Sequence, residues 1–159
     1  MAKSKWAKAQ ANPKLPRTPP GRPLSFLLGK WKIEIVFPDP EMKALHGKAE
    51  FKWLEKDLLL LMKSAGGKGP TAPPKSVSVI GRDYADKEFF MLYSDARRVS
   101  RKYEMTLSKT KWTMSRKERG FHQRFTGHIS PNRRKITGKW ENSKDGRKWA
   151  HDFDLVYSR

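Results

Sequence analysis

Seven side chains carry most of the chemistry this sequence could perform: Tyr93, Arg101, Tyr103, Arg116, Gln123, His151 and Tyr157. Each is polar, yet each falls in step with apolar neighbours two positions away. Examples are Val99-x-Arg101-x-Tyr103, Phe121-x-Gln123-x-Phe125 and Trp149-x-His151-x-Phe153-x-Leu155-x-Tyr157. A polar group on an apolar face is either a satisfied core group or a contact for something bound there. An inward arginine must find a partner, because an isolated buried charge is very costly. Its planar fork takes a ligand carboxylate or phosphate in two-pronged fashion. The competing reading stacks the guanidinium on a Trp or Tyr ring with its tip in water. Both readings stay open for Arg101, whereas Arg116 sits near a strand end, where stacking fits better.

His151 can be read as a general base, an axial haem ligand or a satisfied cavity histidine. His122 and His128 fall on the opposite, outward parity, and His46 reads as a loop residue. No His-Glu-x-x-His spacing, nucleophile elbow, P-loop or dinucleotide glycine fingerprint occurs, so no metal site or known catalytic constellation is expected. Gly66-Gly67-Lys68-Gly69 is followed by Pro70, Pro73 and Pro74 rather than a helix, so it lacks the amides of a phosphate loop. It reads as a mobile loop at one end of the fold, a candidate lid.

The elements that must position these groups are strands. Leu24, Phe26, Leu27 and Leu28 make a short helical turn ended by Gly29. After it the apolar period is two, the mark of half-buried strands. Trp31, Ile33, Ile35 and Phe37 alternate with Lys30, Lys32 and Glu34; Ala49, Phe51 and Trp53 alternate with Lys48, Glu50 and Lys52. Leu58 to Met62 is a continuous apolar strand, and Val77 and Val79 mark another after the Gly/Pro-rich loop. Phe89–Tyr93, Val99–Leu107, Trp112–Met114, Phe121–Ile129, Ile136–Trp140 and Trp149–Tyr157 follow. Asp95-Ala96-Arg97, Ser130-Pro131-Asn132 and Lys144-Asp145-Gly146 supply turns between them. About ten short strands, each with one apolar and one charged face, predict an all-β, antiparallel up-and-down barrel that leaves no exposed edge.

The 159 residues suffice for one such domain, expected over 24–159, after a basic, Pro-rich tail over 1–23. Lys and Arg number 35 against 16 Asp and Glu, a net charge of +19, so non-specific polyanion binding at low salt is expected. The charge lies mostly on outward parity while the aromatics lie inward, which argues against base stacking as the evolved function. With no cysteine there is no disulfide scaffold, thiolate metal site or cysteine nucleophile. No apolar run approaches the ~20 residues of a membrane-spanning helix and no signal peptide is evident, so the expected location is the cytoplasm.

Leu27-Leu28-Gly29-Lys30-Trp31 resembles the Gly-x-Trp opening of calycin-type barrels: lipocalins, fatty-acid-binding proteins and, most nearly, haem-binding nitrobindins. Ser78-Val79-Ile80-Gly81-Arg82-Asp83, Met91-Leu92-Tyr93-Ser94-Asp95, Gln123-Arg124-Phe125-Thr126-Gly127 and Asp152-Phe153-Asp154-Leu155 resemble uncharacterised bacterial calycin-like proteins. The resemblance covers most of residues 24–159 and implies a barrel with an internal site. It also implies a comparable place for His151, since nitrobindins use a last-strand histidine for haem.

The expected function is therefore to hold a small hydrophobic or aromatic ligand, in its sharpest form one bearing a carboxylate for Arg101. Tyr93, Arg101, Tyr103, Trp112, Gln123, Phe125, His151 and Tyr157 are the candidate contacts. Competing readings are an enzyme with His151 as base and Arg101 stabilising an oxyanion, a haem protein, and a nucleic-acid binder using the basic exterior.

Overall fold

A computed structural model of the protein describes residues 16–67, 72–85 and 87–159. The first fifteen residues of the expected tail, Trp6 among them, and the centre of the candidate lid over 68–71 lie outside the described residues. A 3-10 helix (Arg22–Leu27) precedes ten strands. These are β1 (Gly29–Val36), β2 (Leu45–Glu55), β3 (Leu59–Gly66), β4 (Ser76–Arg82), β5 (Phe89–Asp95), β6 (Ser100–Leu107), β7 (Lys111–Arg116), β8 (His122–Ile129), β9 (Lys135–Ser143) and β10 (Ala150–Ser158). Every strand pairs antiparallel with its sequence neighbours, and β1 pairs with β10 to close the barrel. Closure is registered by Ile33 opposite Tyr157 and Ile35 opposite Leu155. No helix among the described residues is long and apolar enough to cross a membrane.

Alternation selects the inward face. Trp31 and Ile33 of β1, Ala49 and Phe51 of β2, Tyr103 and Met105 of β6, and Trp112 and Met114 of β7 are all buried. One end of the barrel is filled with rings. Trp112 packs edge-on against Phe125 at 5.6 Å and beside Tyr157 at 5.8 Å, and Phe125 lies 5.3 Å from Trp140. Phe125 fits only because β8 and β9 supply Gly127 and Gly138 beneath its ring, where a Cβ on Gly138 would collide with it.

The same end is closed from below by the 3-10 helix, whose Leu24 and Leu27 are fully buried. The Trp31 indole donates to the Leu27 carbonyl at 2.7 Å. Arg159 then ties the end of β10 to the 3-10 helix and β1: its guanidinium lies 4.2 Å over the Trp31 ring and donates to the carbonyls of Leu28 (2.7 Å) and Phe26 (2.8 Å). Gly29, at φ 105°, allows the reversal from helix into β1.

Three local expectations are corrected. His46 lies on β2, exposed, rather than in a loop. In β4 the serines face inward and the valines outward: Ser78 is buried and Val77 exposed. The outer wall of β3–β5 is therefore apolar rather than charged, with Leu61 opposite Val79 and Val79 opposite Leu92.

Candidate functional site

The other half of the barrel holds a cavity of about 440 Å³. Its mouth is rimmed by Phe37, Leu45, Pro73, Pro74 and Phe121, and its floor is the ring cluster around Trp140 and Tyr157. Five of the eight candidate contacts line it: Tyr93, Arg101, Tyr103, Gln123 and Tyr157. They arrive there because β5, β6 and β8 keep strict alternation, so each polar residue shares the face of its apolar neighbours.

Gln123, 5% exposed, organises the polar wall. Its amide oxygen accepts from Arg101 Nη1 at 3.0 Å and from the Tyr103 hydroxyl at 3.0 Å. Arg101 also lies 5.3 Å over the Phe121 ring, so it stacks on an aromatic, a Phe rather than the expected Trp or Tyr, while lining the cavity. Among the described residues no carboxylate pairs with it, in contrast to Arg97, Arg116 and Arg124, which pair with Asp95, Glu118 and Glu141.

At the mouth, the Tyr93 hydroxyl donates to Asp95 Oδ2 at 2.8 Å, and Arg97 Nη2 meets the same oxygen at 2.6 Å. The Arg97 hydrogen bond is the main reason the Asp95 carboxyl is held down at about 2. Burial, reinforced by the hydrogen bond to Asp95, pushes the Tyr93 phenol up to about 12. Burial also raises Tyr157 well above the ordinary phenol range. At neutral pH Tyr93 and Tyr157 thus face the cavity as neutral phenols, alongside the Arg101 fork, the Asp95-paired Arg97 and the Asp152 carboxylate.

The other three candidates lie elsewhere. Trp112 and Phe125 are fully buried in the ring-filled end and do not line the cavity. His151 is turned away by a bulge: β10 pairs His151 with Glu141 but Phe153 with Trp140, so one residue is gained and the parity inverts. The imidazole Nε2 lies 2.9 Å from Asp154 Oδ1, opposite the Arg124–Glu141 pair on the outer wall, and Trp149 stacks under Arg124 at 4.1 Å. None of the four histidines lines the cavity. The last-strand histidine that the resemblance offers as haem ligand therefore does not face the cavity. The same bulge sets His151 apart from Arg101, with which an acid–base reading pairs it.

The sequence reading missed three hydroxyls on the neighbouring strands of the same wall: Ser64 of β3 and Ser76 and Ser78 of β4. Ser64 Oγ and Ser76 Oγ share a hydrogen bond of 2.6 Å. The available signal was the parity of Ile80, which places Ser78 and Ser76 on its face; the valine pair between them masked it.

A closed ten-stranded antiparallel barrel with a half-filled interior and a polar arc at its mouth is compatible with ligand binding. No family model matches the chain, and no curated protein matches it. Among solved structures it is similar to Rv2717c from M. tuberculosis, with a TM-score of 0.61 at 9% identity over 89% of this chain and 98% of that one. A redesigned beta barrel matches with a TM-score of 0.48 at 12% identity, over 87% of this chain and 95% of that one. The likeness to Rv2717c is one of fold.

Proposed function

We propose that the protein binds a small, flat hydrophobic or aromatic molecule whose carboxylate is taken by Arg101. One observation carries this reading: a cavity-facing guanidinium with no carboxylate partner among the described residues, held in place by Gln123. Desolvating that fork is compensated when an anion meets it in two-pronged geometry. The cavity volume of about 440 Å³ lies within the range of small-ligand sites, and Met62, Met91, Met114 and Trp140 offer an apolar body contact. The calycin-type kinship read from Gly29-Lys30-Trp31, and a cytoplasmic location, belong to the same proposal.

The test is a fluorescence titration of the full chain with 2-naphthoate and with its neutral alcohol, 2-naphthylmethanol. Arg101→Gln weakens the carboxylate by about 2 kcal/mol, roughly 30-fold, and leaves the alcohol unchanged. Equal losses for both probes, or none, would remove Arg101 from the site.

A second reading concerns the exterior. Lys30, Lys48, Lys63 and Lys75 line a surface groove of about 680 Å³ that also holds the carboxylates of Glu50 and Asp95. This favours polyanion binding of the counterion-release type, expected to collapse between about 50 and 200 mM salt. Retention on heparin that persists through that range would contradict it.

A further inference from the structure

The cavity has two poles, and the second names the class of ligand more narrowly. This inference rests on the internal-site reading above. Ser78 is 2% exposed and lines the cavity, yet its hydroxyl has no hydrogen-bond partner among the described residues. Beside it the Ser64–Ser76 pair shares one hydrogen, which leaves the other hydroxyl hydrogen and several lone pairs uncommitted. The Ser78 hydroxyl is not sealed off but reachable from the cavity, and a run of serines where the other strands carry Met, Ile and Phe is unfavourable against an apolar ligand unless something polar meets it.

The sheet register fixes where this pole lies. Ser78 is opposite Tyr93 on β5, and Tyr93 is opposite Arg101 on β6. Ser78 and Arg101 therefore lie in one row, two strand spacings or about 10 Å apart along the curved wall. Between them the Tyr93 hydroxyl is already committed to Asp95. The facing wall, from Ile33 and Ile35 through Leu155 to Trp140, is apolar apart from Asp152 of β10. A molecule matching both walls is flat, with one apolar face and two hydrogen-bonding groups near opposite ends.

We infer that the ligand class is a hydroxylated or oxo-substituted aromatic acid, with its carboxylate on Arg101 and its second oxygen on the serines of β3 and β4. The serines are specificity determinants: they select against the acid that lacks the distal oxygen, because that acid leaves the Ser78 hydroxyl desolvated and unpaired.

The experiment compares 2-naphthoate with 6-hydroxy-2-naphthoate on the full chain and on Ser78→Ala, Ser76→Ala and Arg101→Gln. The wild-type chain binds the hydroxylated acid about five- to tenfold tighter, the scale of one neutral hydrogen bond. Ser78→Ala removes that advantage chiefly by tightening 2-naphthoate, which no longer strands a hydroxyl, and Arg101→Gln weakens both acids alike. Ser76→Ala is a second probe of the same pole, and unchanged far-ultraviolet circular dichroism certifies each fold. If wild type binds both acids equally, or Ser78→Ala weakens both equally, the serine pole is overturned while the internal site stands. If neither acid binds at millimolar concentration, the internal-site reading falls and this inference with it.

Discussion

Removing the Gln123 acceptor tests the construction of the polar wall before any ligand is involved. Gln123→Leu keeps the volume and deletes the oxygen that receives both Arg101 Nη1 and the Tyr103 hydroxyl. The two donors are affected unequally. Tyr103 is 4% exposed and has no other hydrogen-bond partner among the described residues, so its hydroxyl is stranded at about 1–3 kcal/mol. Arg101 keeps its stack on Phe121 and its opening toward solvent, and adds about 0.5 kcal/mol at most. Burying a leucine where an amide stood returns a fraction of this, leaving a net loss of about 2 kcal/mol. For a chain of this size that lowers the melting temperature by about 4–8 °C, readable by calorimetry. The loss belongs to the stranded hydroxyl, so adding Tyr103→Phe should be nearly free: the double variant should recover about 1 kcal/mol relative to additivity. Additive losses, or a melting temperature unchanged by Gln123→Leu, would refute the wall as described.

Gly138→Ala forces a Cβ into the Phe125 ring and should cost about 1–3 kcal/mol in urea unfolding, recovered in part by Phe125→Leu. Arg159→Ala removes two carbonyl contacts and the cover over Trp31, so it should destabilise by about 2 kcal/mol and shift Trp31 emission to the red. The Asp95 carboxyl sits below its ordinary 3.8, at about 2, so its contribution is complete above the ordinary value and is lost as pH falls through the folded one. With Arg97 61% exposed the screened worth is about 1 kcal/mol, and Asp95→Asn should flatten the acid limb of stability measured between pH about 4 and about 2. His151→Ala should leave 2-naphthoate affinity unchanged, since the imidazole lies on the outer wall; a loss beyond threefold by titration would contradict the bulge geometry.

The barrel was readable because period-two patterning with frequent turns has few other solutions. Where alternation runs unbroken, it also gave the cavity wall: Tyr93, Arg101, Tyr103 and Gln123 follow from counting residues along β5, β6 and β8. Two failures share one cause, that parity is not always visible in residue type. On β10 the extra residue between His151 and Phe153 leaves no mark in composition, yet it moves every side chain before it to the other face. On β4 the valines carry the β propensity while the serines carry the interior, because the outer wall of β3–β5 is apolar as well. Trp112 and Phe125 show a third limit. Both point inward as expected, but whether an inward ring lines a void or fills one depends on volume, and that is decided by two glycines on neighbouring strands.

The most direct test of the central claim is a map of backbone amide shifts in isotope-labelled protein on addition of 6-hydroxy-2-naphthoate. An internal two-pole site predicts saturable shifts at Ser78, Tyr93, Arg101, Tyr103 and Gln123, abolished in Arg101→Gln and insensitive to moderate salt. Shifts confined to the outer lysines Lys30, Lys48, Lys63 and Lys75, fading as salt is added, would place the ligand on the exterior and leave the cavity without a role.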